Sequence, residues 1–174
     1  LTSSLQEQTY MVHREEFKVT SNEGLPTFHN VTEFAKATLQ NSGIRDGILT
    51  VYSHHTTCCV IIDEDAFDIT EGGLKTLQQD FADALERIMP TFREEGMYRH
   101  PGPKAKKFGM EHGEDEKTCR NTDAHLRSAL VGRSETVVVI DGKLDLGEFG
   151  HIYFIDFDQT RARTRTVQIQ VIGE

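Results

Sequence analysis

The apolar positions along the chain change period several times, and each period predicts an element. Over "QTYMVHREEFKVTS" (8–21), β-branched, aromatic and charged residues partly alternate, which predicts one or two strands with a solvated face. Thr32 has the chemistry of a helix N-cap: Phe34, Ala35, Thr38 and Leu39 follow at helical spacing, and Gly43 offers a left-handed ending. "GILTVYSH" and "CCVIID" read as two strands covered on both faces, with the polar "HTT" between them. From about Thr70 to Pro90, Leu74, Leu77, Phe81, Leu85 and Ile88 recur at three- and four-residue steps and predict a second, core-packed helix, its start blurred by Gly72 and Gly73. Residues 91–120 are rich in Gly, Pro and mixed charge and read as a long loop insertion, a type of segment that is usually functional or mobile. Asn121 then caps a third helix holding His125, Leu126, Ala129 and Leu130 and closed by Gly132. The remainder is β-rich: "ETVVVIDGKLDLG" carries an Asp-Gly turn, "HIYFIDFD" follows, and "TRTVQIQVIG" alternates cleanly. Antiparallel strands interrupted by about three helices make an α+β fold.

At 174 residues the chain suits one hydrophobic core, so the expected organisation is a single domain over 1–174. Its formal net charge of -9 argues against a nucleic acid or an anionic membrane as partner, since both are held by clustered Lys and Arg. No stretch approaches the roughly 20 apolar residues of a membrane span. The opening "LTSSLQEQTY" lacks the basic and apolar regions of an export signal, so the expected location is the cytoplasm. Three cysteines, two of them the adjacent Cys58 and Cys59 that point to opposite faces of a strand, fit a reducing compartment. That pair reads as small core residues, whereas Cys119, in a charged loop, reads as more exposed and more oxidisable.

Candidate chemistry concentrates in "YSHHTTCCVIIDED" (52–65). His55 shares strand parity with Leu49 and Val51, which points its imidazole to the core side at a strand end and His54 the other way. A buried histidine is most often a satisfied structural residue. His100 in "YRHPG" and His125 in "NTDAHLRSALVG" complete three imidazoles from separate elements, a set that with an open fourth position would suit a catalytic zinc. Close pairs of the type His-x-x-x-His or Cys-x-x-Cys are absent, so spacing leaves structural and ligand roles both open. Arg161, Arg163 and Arg165 share parity with Val167, Ile169 and Val171, so one strand face turns from apolar to cationic. Such a row either grips a phosphate through its guanidinium groups or guards an exposed edge strand. Glu64, between Asp63 and Asp65, either orients an imidazole or serves as a base, or leads with its neighbours into a solvated loop.

Taken in order, "HTT", "DED", "YRH", "NTDAHLRSALVG", "GKLDLG" and "RARTRTVQIQVIGE" resemble the YjbQ family, also called the secondary thiamine-phosphate synthase enzyme family. The likeness runs from residue 17 to the terminus. It implies an α+β fold of antiparallel sheets, a homotrimer with clefts near subunit contacts, and a histidine-rich pocket able to take a divalent metal ion, zinc first. By this resemblance His55, His100 and His125 are the metal ligands, Glu64 and His125 the catalytic pair, and Arg163 and Arg165 the phosphate-binding residues. The implied function is a metal-dependent enzyme with weak thiamine-phosphate synthase-like activity on a small phosphorylated metabolite. A non-catalytic trimer binding a metal and such a metabolite is the alternative, and a metal-dependent phosphoester hydrolase is a third. The sequence departs from the family at "LGEFGHIYF", where Phe149 and Gly150 stand at the positions of a Trp-Gln pair, and "DQTRAR" replaces an Asp-Gly-Pro before the arginines. His151 either substitutes for the lost glutamine or lies on the surface.

Overall fold

The computed structural model describes residues 9–174; Gln8 and the start of the segment read for an export signal lie outside the described residues. In chain order the elements are β1 (Met11–Ser21), β2 (Thr27–Asn30), α1 (Thr32–Ser42), β3 (Gly47–Tyr52), β4 (Cys58–Glu64), α2 (Thr76–Ile88), α3 (Pro103–Glu111), α4 (Thr122–Val131), β5 (Ser134–Ile140), β6 (Lys143–Leu144), β7 (Gly150–Asp156) and β8 (Arg163–Gly173). The strands form two antiparallel sheets, ordered β1-β8-β3-β5-β6 and β2-β7-β4. The fold is α+β, as the patterning predicts.

Alternation along β8 explains the layering. Val167, Ile169 and Val171 point inward and meet Leu49 and Val51 of β3, Cys58 and Val60 of β4, and Ile152 and Phe154 of β7, with Ala35 and Leu39 of α1 closing the same core. The opposite parity of β4 and β7 faces a second cluster, in which Cys59, Tyr153, Ile155 and Phe157 pack on Leu85 of α2 and Ala124 of α4. The adjacent cysteines thus serve different cores, and the small sheet is a middle layer between the large sheet and helices α2 and α4, with α1 on the large-sheet side. β4 is covered on both faces over Cys58–Val60, as expected, but opens toward its end, where Ile62 is exposed, and β3 is covered on one face only: Ile48 and Tyr52 lie on the open outer face of the large sheet.

Several local expectations are corrected. Thr32 is the first residue of α1 rather than its cap, which is Val31. Its hydroxyl instead accepts the Ile152 N–H at 2.9 Å and donates to Asn30 at 2.7 Å, tying the helix start to β7. The second helix begins at Thr76, because Gly73 has a positive φ of 87° and Ile69 to Lys75 fold into a small bridged turn first. The stretch 91–120 holds α3, started by Pro103 just after Gly102; proline there is favourable because its missing N–H has no partner to lose. The helix buries little beyond Gly109, so no apolar stripe marked it in the sequence.

A cleft where the two sheets part

The large and small sheets share strand ends at one place: β3 leaves toward β4 through residues 53–57, and β7 leaves toward β8 through 157–162. A cleft of about 380 Å³ opens there, walled by these connections, by the α3 region and by the first turn of α4. Its floor is a buried ion pair between the layers. Arg165, on the inward parity of β8, donates from Nε to Asp156 Oδ2 at 2.6 Å and from Nη2 to Asp156 Oδ1 at 3.2 Å and Thr57 Oγ1 at 3.0 Å. Asp156 is fully buried at the end of β7, and Thr57 also donates to it at 3.2 Å. Burial by itself would raise the Asp156 pKa, but the Arg165 guanidinium and the Asp158 N–H more than offset it and hold the carboxyl below its usual range.

Arg163 and Arg165 line the cleft as their parity predicts, whereas Arg161 precedes β8 and is not among the lining residues, and the three differ in what they have free. Arg161 pairs with Glu114 at 2.7 Å. Arg163 reaches Glu114 through Nη2 at 3.3 Å, while its Nε is buried and has no hydrogen-bond partner, the nearest carboxylate oxygen being Asp158 Oδ2 at 3.6 Å. A buried guanidinium N–H without an acceptor is costly, and a ligand oxygen would satisfy it. The expected phosphate grip by Arg163 and Arg165 alike is therefore uneven: the Nε/Nη2 edge of Arg165 is committed to the fold.

The three predicted imidazoles do line this cleft together, with His100 and His125 edge to face at 5.8 Å between ring centres. Their nitrogens are not equivalent. His125 lies with Nδ1 3.2 Å from the Thr56 carbonyl oxygen, which can only accept, so Nδ1 carries the proton and Nε2 keeps a lone pair. Burial lowers its pKa, the Thr56 carbonyl opposing. His55 is arranged the other way round: its Nε2 accepts the Thr166 backbone N–H at 2.9 Å. Burial, with Arg165 and His54 next, pushes the His55 pKa down to about 4, so the ring is neutral at pH 7. A zinc held by all three rings does not fit this arrangement, because the lone pair that His55 would offer is already bonded to β8. Among the described residues no group of three His, Cys, Asp or Glu side chains is placed to hold a metal ion.

Glu64 is not brought to the cleft within the chain. It sits at the far end of β4 from Cys58, exposed and paired across from Gly150. Cys119, expected to be exposed, is 8% exposed on the cleft wall, and burial, followed by Glu114, raises its thiol pKa. The sequence reading missed Thr57, Asp156 and Asp158. The signal for the two aspartates was present in "YFIDFD", where both carboxylates share the parity of Ile152 and Phe154 just before the arginine row.

The family described as UPF0047 protein YjbQ-like matches residues 15–174. The chain belongs to this family. Among its relatives, a UPF0047 protein of Methanothermobacter thermautotrophicus is 31% identical over 145 residues, covering 83% of this chain and 82% of the relative. The UPF0047 protein YugU of Bacillus subtilis is 31% identical over 144 residues, covering 83% and 88%. A YbjQ-like protein of unknown function from Sulfolobus solfataricus has the same fold, with a TM-score of 0.72 at 19% identity over 95% of this chain and 100% of that one. An uncharacterised YjbQ/UPF0047 protein of Clostridium acetobutylicum aligns with a TM-score of 0.68 at 25% identity over 90% and 98%. In this YjbQ-like chain the departure at Gly150 has a steric basis: a Cβ there would lie 2.2 Å from the Leu146 carbonyl oxygen, so the 146–150 turn is closed to a side chain. His151 does not enter the cleft; it lines a different groove, beside α1, and its Nδ1 lies 3.0 Å from Asn30 Nδ2.

Proposed function

We propose that the cleft binds the phosphoryl group of a small phosphorylated metabolite and that the chain acts on it as an enzyme. The observation that carries this reading is the buried Nε–H of Arg163, a cleft-lining residue, which has no hydrogen-bond acceptor and only the Asp158 carboxylate at 3.6 Å as a charge partner. A phosphate oxygen would give that donor its acceptor, and the cleft is of a size for a small metabolite. The free Nε2 of His125 supplies a proton acceptor within the same space. In a thiamine-phosphate synthase-like transfer, a diphosphate leaves as the pyrimidine joins a thiazole phosphate; Arg163 would meet the charge that develops on it. No step is assigned to a metal, since His55 does not fit the three-imidazole set.

The non-catalytic reading has one observation in its favour. The turn carrying Phe149 and Gly150 lies away from the cleft, and Gly150 is closed to the family's glutamine. Association of copies, expected as a homotrimer, is supported by the outer face of the large sheet, where Val12, Ile172, Ile48 and Val138 form one cross-strand row and Val12, Ile48 and Val138 are exposed. Calorimetry with inorganic pyrophosphate on metal-free protein tests the central claim. Arg163→Gln is expected to weaken binding at least about tenfold, as for loss of a charge-assisted hydrogen bond, without lowering the melting temperature. Equal affinity in the variant refutes the site. Turnover of the thiamine precursors above a heat-killed control separates enzyme from binder.

A further inference from the structure

The hydrogen bond between His55 and Thr166 follows from how the large sheet ends. β3 and β8 pair up to Tyr52 opposite Gln168, and two residues further the same register would set His54 opposite Thr166. β3 parts from β8 there: the Ser53 N–H still bonds the Arg133 carbonyl at 2.9 Å in continuation of the β3–β5 register, but the pairing with β8 ends at Tyr52, and Thr166 keeps a strand partner only on its other flank, Lys18 of β1. The imidazole of His55 takes the place of the lost strand, with Nε2 accepting the Thr166 N–H. A backbone N–H cannot accept, so the neutral ring must carry its proton on Nδ1. That Nδ1–H has no acceptor among the described side chains and carbonyls bonded to His55, and His55 lines the cleft.

His125 is held in the same tautomer by a bond at its opposite nitrogen, since Nδ1–H donates to Thr56. Two rings in one tautomer, each anchored to backbone by a different nitrogen, thus leave opposite chemistry free: a donor at His55 and an acceptor at His125. Arg163, whose Nε–H has no hydrogen-bond acceptor, lines the same cleft. This set does not suit a bare cation, which needs lone pairs from every ring. It suits a ligand that brings acceptor oxygens to one side and a hydrogen-bond donor to the other.

We propose that the cleft selects phosphorylated metabolites that also carry a free hydroxyl or amino group, the phosphate received by His55 Nδ1–H and Arg163 Nε–H and the hydroxyl or amino proton by His125 Nε2. The proposal rests on the phosphate reading above and adds the second group of the ligand. It also makes His55 a binding residue whose tautomer is set by β8 rather than a metal ligand.

The test uses the full chain labelled with ¹⁵N, in long-range ¹H–¹⁵N correlation of the imidazoles at pH 7. His55 and His125 are both expected with a protonated Nδ1 and an unprotonated Nε2. The probes are 2-hydroxyethyl phosphate and 2-methoxyethyl phosphate, which differ in one donor. The hydroxyl probe should bind about five- to tenfold more tightly, the worth of one hydrogen bond, and should shift His125 Nε2, whereas the methoxy probe should leave that nitrogen unmoved. In His125→Asn, which keeps an N–H for the Thr56 carbonyl, the preference should vanish while phosphate binding persists. A protonated Nε2 on either ring overturns the proposal, as does equal binding of the two probes. A His55 Nε2 that moves to a metal-bound shift on addition of zinc chloride overturns it too. If neither probe binds although both tautomers are as described, the phosphate reading itself has failed, and this proposal with it.

Discussion

Removing Asp156 should cost this fold more than any exposed charge could. The carboxylate is fully buried and accepts Arg165 Nε and Nη2, Thr57 Oγ1 and the Asp158 N–H. In Asp156→Ala, Arg165, itself 5% exposed, would keep the Thr57 hydroxyl at 3.0 Å but as a counter-charge only a distant carboxylate, Asp158 at 3.6 Å. Breaking a buried pair from one side costs about 3–5 kcal/mol, chiefly because the remaining charge is stranded away from water. For a chain of this size that is about 6–20 °C in melting temperature. Arg165→Met should cost a similar amount by stranding the carboxylate. The double variant should cost less than the two singles together by about 2 kcal/mol, since it strands neither charge. Urea unfolding followed by circular dichroism at pH 7 measures all four proteins, in low salt and in about 1 M salt, where an exposed pair would be screened. A single-variant loss under about 1 kcal/mol, strict additivity, or a loss that salt abolishes would refute the reasoning. The acid side has a definite sign: the native carboxyl titrates below its ordinary value of 3.8, so its contribution is complete above that pH and is lost as the pH falls through the native value.

Three shorter predictions follow from the same geometry. His55 titrates near 6.5 when unfolded and at about 4 when folded, so its contribution is complete above pH 6.5 and lost as the pH falls from 6.5 to about 4. After discounting for its partial exposure this is about 1–2 kcal/mol, and a His55→Gln variant should show a flatter stability profile across that window; an unchanged slope would show that His55 does not titrate there. Gly150→Ala should destabilise by about 1–3 kcal/mol through the Leu146 carbonyl, measured as a shifted urea midpoint, and a neutral result would mean that the turn can open. Ile48→Lys, at the middle of the exposed cross-strand row, should lower the mass seen by light scattering to that of one chain, and an unchanged mass would show that this face does not join copies.

The inward and outward parity of β8 was legible from residues alone, because a strand's period of two ties Arg163 and Arg165 to the face of Val167, Ile169 and Val171 wherever that face points, whereas Arg161, expected in the same row, stands before the strand begins. Opposite placement of Cys58 and Cys59 followed from the same period. Helix α4 was legible from Asn121 before it and Gly132 after it, although the face it buries is Thr122, Asp123, Ala124, Arg127 and Ser128 and leaves Leu126 and Leu130 exposed, whereas α3 was not legible, since a short exposed helix buries too little to leave an apolar stripe. What the sequence could not decide is which atoms each site residue has to spare. The arginine row told nothing of Asp156 taking the edge of Arg165, and the three histidines told nothing of which nitrogen stays free. Asp156 is only nine residues from Arg165, but the other outcomes depend on partners more than 30 residues away: Thr166 for His55, Thr56 for His125 and Glu114 for Arg163, with |i−j| of 111, 69 and 49. Local pattern sets which way a side chain points, but hydrogen-bond occupancy is settled only when distant strands and helices meet, because a donor or acceptor shielded from water must find its partner wherever the fold supplies one.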